Sequence, residues 1–345
     1  MSFLDQDQIL TIMEGFLKRV FKEIIGVDIK TPLRRMDYAE AVDIYGSDKP
    51  DTRFELHLRD VTEVLKNTEF NGYKEAECIK ALVIPGEAVN TSRKVIDNLN
   101  LEAKKFGFGG IGVYKLTEQG LESSLAKFMN DAQKEEFIKV SKANQGDLIL
   151  TLAGKHDQVC FALGALRSQY ARKLGYIKPN TYDLLWVVNF PLFEKDIHDG
   201  TYKALHHPFT RPTPETAHYL DSDPSKILSA AYDIVINGYE AGGGSLRIYD
   251  QDMQNKVFNI LGFSDEDIVR KFGYFVKAFE YGTPPHGGIA FGLERLSMII
   301  CGTDNIRDVI AFPKNLRAAC PMSSAPQQVD EAQLEDLGIM IKEEN

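Results

Sequence analysis

The sequence predicts an α+β protein in which a small α+β module interrupts a larger one. Three observations carry this. Apolar residues recur at helical spacing from the start of the chain, short alternating strand and helix signals fill residues 61–154, and further strands and helices follow to the C-terminus.

The opening pattern places Ile9, Met13, Phe16, Val20 and Ile24 at three- and four-residue steps up to Gly26, which predicts a helix with one buried face. Such a helix needs a partner surface, so the chain is expected to begin inside a domain. Residues 32–41 are polar and contain breakers. Residues 45–53 (Tyr45, Gly46, Ser47, Asp48, Lys49, Pro50, Asp51, Thr52, Arg53) are turn chemistry throughout and predict an ordered loop. Between 61 and 154 the expected strands are 81–84, 111–114 and 147–152, with a helix over 92–105. Beyond them, 164–174 reads as a helix and 184–188 as a buried strand. Three more strands are expected at 190–193, 239–249 and 287–291, and helices at 225–232, 265–280 and 293–300. No internal repeat or low-complexity segment is present.

A chain of 345 residues with 43% hydrophobic residues is long enough for two or three domains. Its formal net charge of -10 excludes the overall basic surface of a general nucleic-acid binder, so any RNA contact is local. Cys78, Cys160, Cys301 and Cys320 lack paired short spacings, which argues against a zinc site and against a disulfide framework. A reducing cytoplasm is the expected location. There is no basic segment followed by an apolar run at the N-terminus, and no apolar stretch near the roughly 20 residues that span a bilayer, so no membrane association is expected.

The chemistry concentrates in residues 237–249. Alternation places Ser245, Arg247 and Tyr249 on one face of a strand, and Gly242, Gly243 and Gly244 leave a trough without side chains, suited to a ligand lying close to the backbone. An arginine facing it can hold a carboxylate in a two-pronged hydrogen bond. The bland reading is a glycine hinge beside a surface arginine. Asp233 and Glu240 flank the start of this strand, and two converging carboxylates near a polyphosphate would hold magnesium. Solvated acids are the bland alternative. At residues 287–296 a strand gives way to a helix at Gly292, where free backbone N–H groups favour an anion and Arg295 lies in the first turn. His206 and His207 have no Cys or His at ligand spacing, so a substrate-closing loop fits better than zinc.

Together these segments resemble a known family. Gly242-Gly243-Gly244-Ser245-Leu246-Arg247, followed by Gly288-Ile289-Ala290-Phe291-Gly292-Leu293-Glu294-Arg295 opening a helix, is similar to the end of a class II aminoacyl-tRNA synthetase catalytic domain, the second segment resembling motif 3. The segments 45–51, 206–209, 281–286 and 302–314 narrow the resemblance to bacterial-type aspartyl-tRNA synthetases over essentially the whole chain. The resemblance implies an antiparallel sheet flanked by helices, present in part. It also implies an inserted α+β module, shared with an amidotransferase subunit, at 61–154 between catalytic parts at 1–60 and 155–345. It assigns His206, His207 and Arg247 to L-aspartate, with Arg247 on the side-chain carboxylate. Glu240, Gly292, Leu293, Glu294 and Arg295 fall to ATP, and Asp233 with Glu240 to Mg2+. The family's partners are ATP, L-aspartate and tRNA, and its members pair as homodimers.

The family's anticodon-binding barrel, motif 1 and motif 2 do not occur in this sequence, so by resemblance the chain is a C-terminal portion, expected to be inactive alone. Two other readings share some of the chemistry: a non-catalytic synthetase-like paralogue that binds an amino acid, a nucleotide or a partner, and a generic ATP-dependent carboxylate–amine ligase.

Overall fold

In the computed structural model, which describes residues 1–196 and 198–342, the opening helix runs over Gln6–Ile25. It starts where the Asp5 side chain accepts the Gln8 amide at 2.8 Å and Gln8 accepts the Asp5 amide at 3.0 Å, so two otherwise unpaired donors satisfy each other's residues. Its buried face is Ile9, Leu10, Glu14, Leu17 and Phe21. The expected stripe is therefore corrected: Phe16 is 43% and Ile24 62% exposed. The reason is Glu14. Its carboxylate lies inside because it accepts the Trp186 indole N–H at 3.0 Å, and a pattern built on apolar residues alone rotates the face by one position, about 100°.

Twelve strands are found among the described residues: β1 Arg34–Asp37, β2 Leu58–Asp60, β3 Cys78–Ile84, β4 Gly112–Thr117, β5 Gly120–Glu122, β6 Leu148–Gly154, β7 Leu184–Val188, β8 Phe193–Lys195, β9 Tyr202–Ala204, β10 Ala231–Ile236, β11 Tyr239–Leu246 and β12 Gly287–Phe291. One five-stranded sheet has the order β1-β7-β10-β11-β12. It is antiparallel except that β1 runs parallel to β7, with Met36 beside Val187. All five residues of β7 are buried, as an apolar run with neighbours on both sides requires. Helices flank this sheet's strands in the chain, in the mixed antiparallel architecture expected.

One expectation fails here, and one strand is not anticipated by the sequence, for the same reason. Residues 225–232 form no helix: a single turn, Pro224–Lys226, is followed by β10, whose Ile234, Val235 and Ile236 are β-branched and fully buried between β7 and β11. Residues 32–41, read from the sequence only as polar and breaker-containing, hold β1, whose Met36 is fully buried through its pairing with β7. Tertiary pairing overrides local composition at both places. Likewise the strand expected at 190–193 is displaced to β8, because Pro191 lacks an N–H and makes only one bridge, to Leu228.

The second five-stranded sheet, β2-β3-β6-β4-β5, draws every strand from residues 58–122 and 148–154. One of its faces buries Ile79, Ala81, Tyr114 and Ile149 with Leu65, Tyr73 and Phe137. The other buries Leu82, Leu148, Leu150 and Leu152 against Leu163, Leu166 and Tyr170 of the helix His156–Lys173. That helix also meets residues 41–46, because Gly46 and Gly164 lack side chains. A Cβ on Gly164 would lie 2.0 Å from the Gly46 carbonyl oxygen.

The chain divides into two units, Met1–Gly292 and Leu293–Asn345. The second contains the helix Leu293–Cys301, the turn Ile306–Asp308 and the helix Glu331–Asp336. Asp308 organises it locally, accepting from Thr303 at 2.7 Å and from Asn305 at 2.9 Å. No helix among the described residues is long and apolar enough to cross a membrane.

Candidate functional site

The antiparallel register of β10 and β11 sets Asp233 opposite Gly243. A Cβ on Gly243 would lie 2.3 Å from Asp233 Oδ1 and 3.7 Å from Glu240 Oε1. The glycine is thus required for the two carboxylates to flank one point on the strand, and both belong to the first unit. Burial, followed by the charges of Glu240 and Asp48, pushes the Asp233 carboxyl up to about 7, with Lys49 opposing. Three acids therefore act on one another here. His206 shares their field: burial lowers its basicity while Glu240 and Asp48 raise it, and its ring stands edge-on to Phe190 at 4.9 Å.

On the other side of the glycines, Arg247 follows the last residue of β11, its amide donating to the His286 carbonyl at 2.9 Å. Its guanidinium rests on the His207 ring, with Nη1 against Nε2 and 3.2 Å from Nδ1. The Phe209 amide also donates to that nitrogen, at 3.1 Å. A ring nitrogen that accepts a backbone N–H carries no proton, so the imidazole is neutral. Burial, then the charge of Arg247, accordingly hold His207 down at about 4. The half-buried guanidinium has no carboxylate acting on it among the described residues. A cavity of about 390 Å³ opens beside it, lined by Phe209, Gly243, Gly244, Arg247, Phe275 and His286 among others.

Sequence reasoning misses the supports of this arrangement. Gln254, fully buried, donates to the Pro208 carbonyl at 2.9 Å and so fixes the loop that carries both histidines. Phe209 packs between Phe258, Phe272 and Phe275. Asp48 and Lys49 reach the acids from a loop nearly two hundred residues upstream, and only their turn-forming composition marks that loop in the sequence. Gly292 closes β12, its amide bonded to the Ala241 carbonyl at 2.9 Å. Leu293, Glu294 and Arg295 form the first turn of the helix that opens the second unit.

The family model of the class II tRNA synthetases (D, K and N) matches residues 1–316. This chain belongs to that family. Among similar class II synthetases, the aspartate–tRNA ligase of Macrococcus caseolyticus is 46% identical over 349 residues, which is 100% of this chain and 59% of the relative. That of Ruminiclostridium cellulolyticum is 46% identical over 351 residues, with the same coverage. That of Streptococcus suis is 46% identical over 344 residues, again covering 59% of the relative. The chain thus spans about three fifths of the length of these relatives. The class II match includes the acids, the arginine and the helix Leu293–Cys301 together.

Proposed function

We propose that this chain forms the aspartate site and part of the ATP site of an aspartate–tRNA ligase. The observation that carries the reading is Arg247: a half-buried guanidinium with no carboxylate acting on it among the described residues, open to a cavity floored by glycines. Such a group binds a carboxylate in two parallel hydrogen bonds, and water exclusion strengthens them. His207, kept neutral, leaves the positive charge on Arg247 while buttressing its orientation. His206, on the same Gln254-held loop, is assigned with it to closing over the amino acid.

Asp233 and Glu240 fit a divalent cation. Gly243 leaves room between them, and the burial that chiefly raises the Asp233 carboxyl, followed by the charges of Glu240 and Asp48, is a cost that a bound cation would offset. Mg2+, when bound there, supplies positive charge to the phosphates of ATP. Glu240, Gly292, Leu293, Glu294 and Arg295 are proposed as the ATP contacts. The aspartate α-carboxylate attacks the α-phosphorus, and the bond to pyrophosphate breaks. The aspartyl group then passes to the terminal ribose of tRNA. No enzyme nucleophile is needed, so the protein contributes position and electrostatics. Residues 61–154 are read as a module inserted into the catalytic domain, and homodimer formation, action in the cytoplasm and tRNA binding belong to the same reading.

The test is ligand preference. The chain should bind L-aspartate at least about tenfold more tightly than L-asparagine, since the amide lacks the charge that Arg247 meets. Equal affinity for the two would sink the assignment.

A further inference from the structure

Away from the acids and Arg247, three side chains of different chemistry converge where the helix His156–Lys173 meets residues 41–46. His156 and Cys160 are one helical turn apart and share a face. Asp43 comes from the wide π-helical turn Ala41–Tyr45. Its Oδ1 lies 2.9 Å from His156 Nε2, and Cys160 Sγ lies 3.7 Å from that same nitrogen. One donor atom from each residue falls within 4.8 Å of the other two. Tetrahedral zinc, with bonds of about 2.0 Å to nitrogen and oxygen and about 2.3 Å to sulfur, sets N and O roughly 3.3 Å apart and N and S roughly 3.5 Å apart. The N–O and N–S separations already lie within about 0.4 Å of those values, and the aspartate oxygen and the sulfur start within 4.8 Å of each other.

We propose that Asp43, His156 and Cys160 form a zinc site with three protein ligands and a fourth position open to water. The mix of carboxylate, imidazole and thiolate suits zinc better than calcium or magnesium, which take oxygen donors. Cys160 is fully buried, whereas the Asp43 and His156 side chains are 46% and 35% exposed, so the ion enters from the solvent side. Asp157 accepts from His156 Nδ1 at 2.8 Å, the outer-shell carboxylate that orients a ligating histidine. A neighbouring cation is accommodated. Lys80 Nζ lies 2.6 Å from Asp43 Oδ1 but also 3.3 Å from Asp60 Oδ2, so the ammonium keeps a partner when Asp43 turns to the metal.

The charge balances. Without metal, both nitrogens of His156 face carboxylate oxygens and the ring carries two protons. One Zn2+ enters, a proton leaves His156 Nε2 and another leaves Cys160 Sγ, and the cluster's net charge is unchanged. The ion would tie residues 41–46 to the helix beside the Gly46–Gly164 contact, and so set the position of the loop bearing Asp48 and Lys49. Cysteine spacing alone argues against zinc because this site uses one cysteine and an aspartate 113 residues before the histidine.

The test uses the full chain with Cys301→Ser and Cys320→Ser, which removes the thiols at exposed and half-exposed positions. After treatment with a chelator, Co2+ should bind in one equivalent with a thiolate-to-cobalt charge-transfer band, Zn2+ should displace it, and Zn2+ should raise the melting temperature. His156→Ala, at a partly exposed position, and Asp43→Ala should weaken Zn2+ binding by more than the roughly 10- to 100-fold expected for Asp157→Asn. Cys160→Ser should remove the band. A chain without the band, or a band that survives Cys160→Ser or His156→Ala, would overturn the proposal in favour of an ion-paired imidazolium cluster.

Discussion

The Asp233 carboxylate occupies the space that a side chain on Gly243 would need, 2.3 Å from the position of its Cβ. Gly243→Ala should therefore displace Asp233 and abolish the effect of Mg2+ on stability. The pH dependence follows from the raised Asp233 carboxyl, which moves from an ordinary 3.8 to about 7. Between those values the folded state holds a proton that the unfolded chain has lost, so stability falls as pH rises through the window. Asp233→Asn should melt like the wild type near pH 4 and at least about 2 °C higher at pH 8. A difference that is the same at both pH values contradicts this.

His207 titrates in the opposite sense. Its folded value near 4 lies below the ordinary 6.5, through burial and then Arg247. The unfolded chain binds the extra proton first, so stability is lost as pH falls from about 6.5 towards 4. Ring resonances followed by NMR should show a midpoint near 4, moving part of the way up in Arg247→Ala. A wild-type midpoint near 6.5 would show that the guanidinium does not face this ring.

Glu14 and Trp186 offer a test of the opening helix. Glu14→Ala leaves the indole N–H buried without an acceptor and should cost about 1–3 kcal/mol, whereas Glu14→Gln keeps an acceptor and should cost less. Urea unfolding monitored by Trp186, the only tryptophan, reads both. An unchanged midpoint for Glu14→Ala would place the carboxylate in solvent.

The second sheet shares one of its two cores with the helix His156–Lys173. A segment covering 54–176 should give a dispersed heteronuclear NMR spectrum. One cut at 61 and 154 leaves Leu82, Leu150 and Leu152 without Leu163, Leu166 and Tyr170, and should give collapsed peaks. Good dispersion from the shorter piece would show that the helix is dispensable.

These cases mark what the sequence reveals. Glycine-bounded features are legible: β12 and the helix after Gly292 fall where expected, and the three glycines before Arg247 fall within β11, directly opposite β10 and β12. β10 is misread as helix because Ser229, Ala230 and Ala231 precede the β-branched residues that decide its state. The buried face of the opening helix is missed because its key residue is a glutamate whose partner lies 172 residues away. The same holds for Asp43 with His156, for Gly46 with Gly164 and for Gln254 with the Pro208 carbonyl. Contacts across long sequence separations have no local signature.

Arg247 as the aspartate ligand is the central claim, and calorimetric titration of L-aspartate into wild type and Arg247→Lys tests it most directly. Lysine keeps the charge but not the two-pronged geometry, so the variant should lose about 1.5–3 kcal/mol of binding, roughly 10- to 150-fold in affinity, with circular dichroism unchanged. Unaltered aspartate affinity in the folded variant would contradict the account.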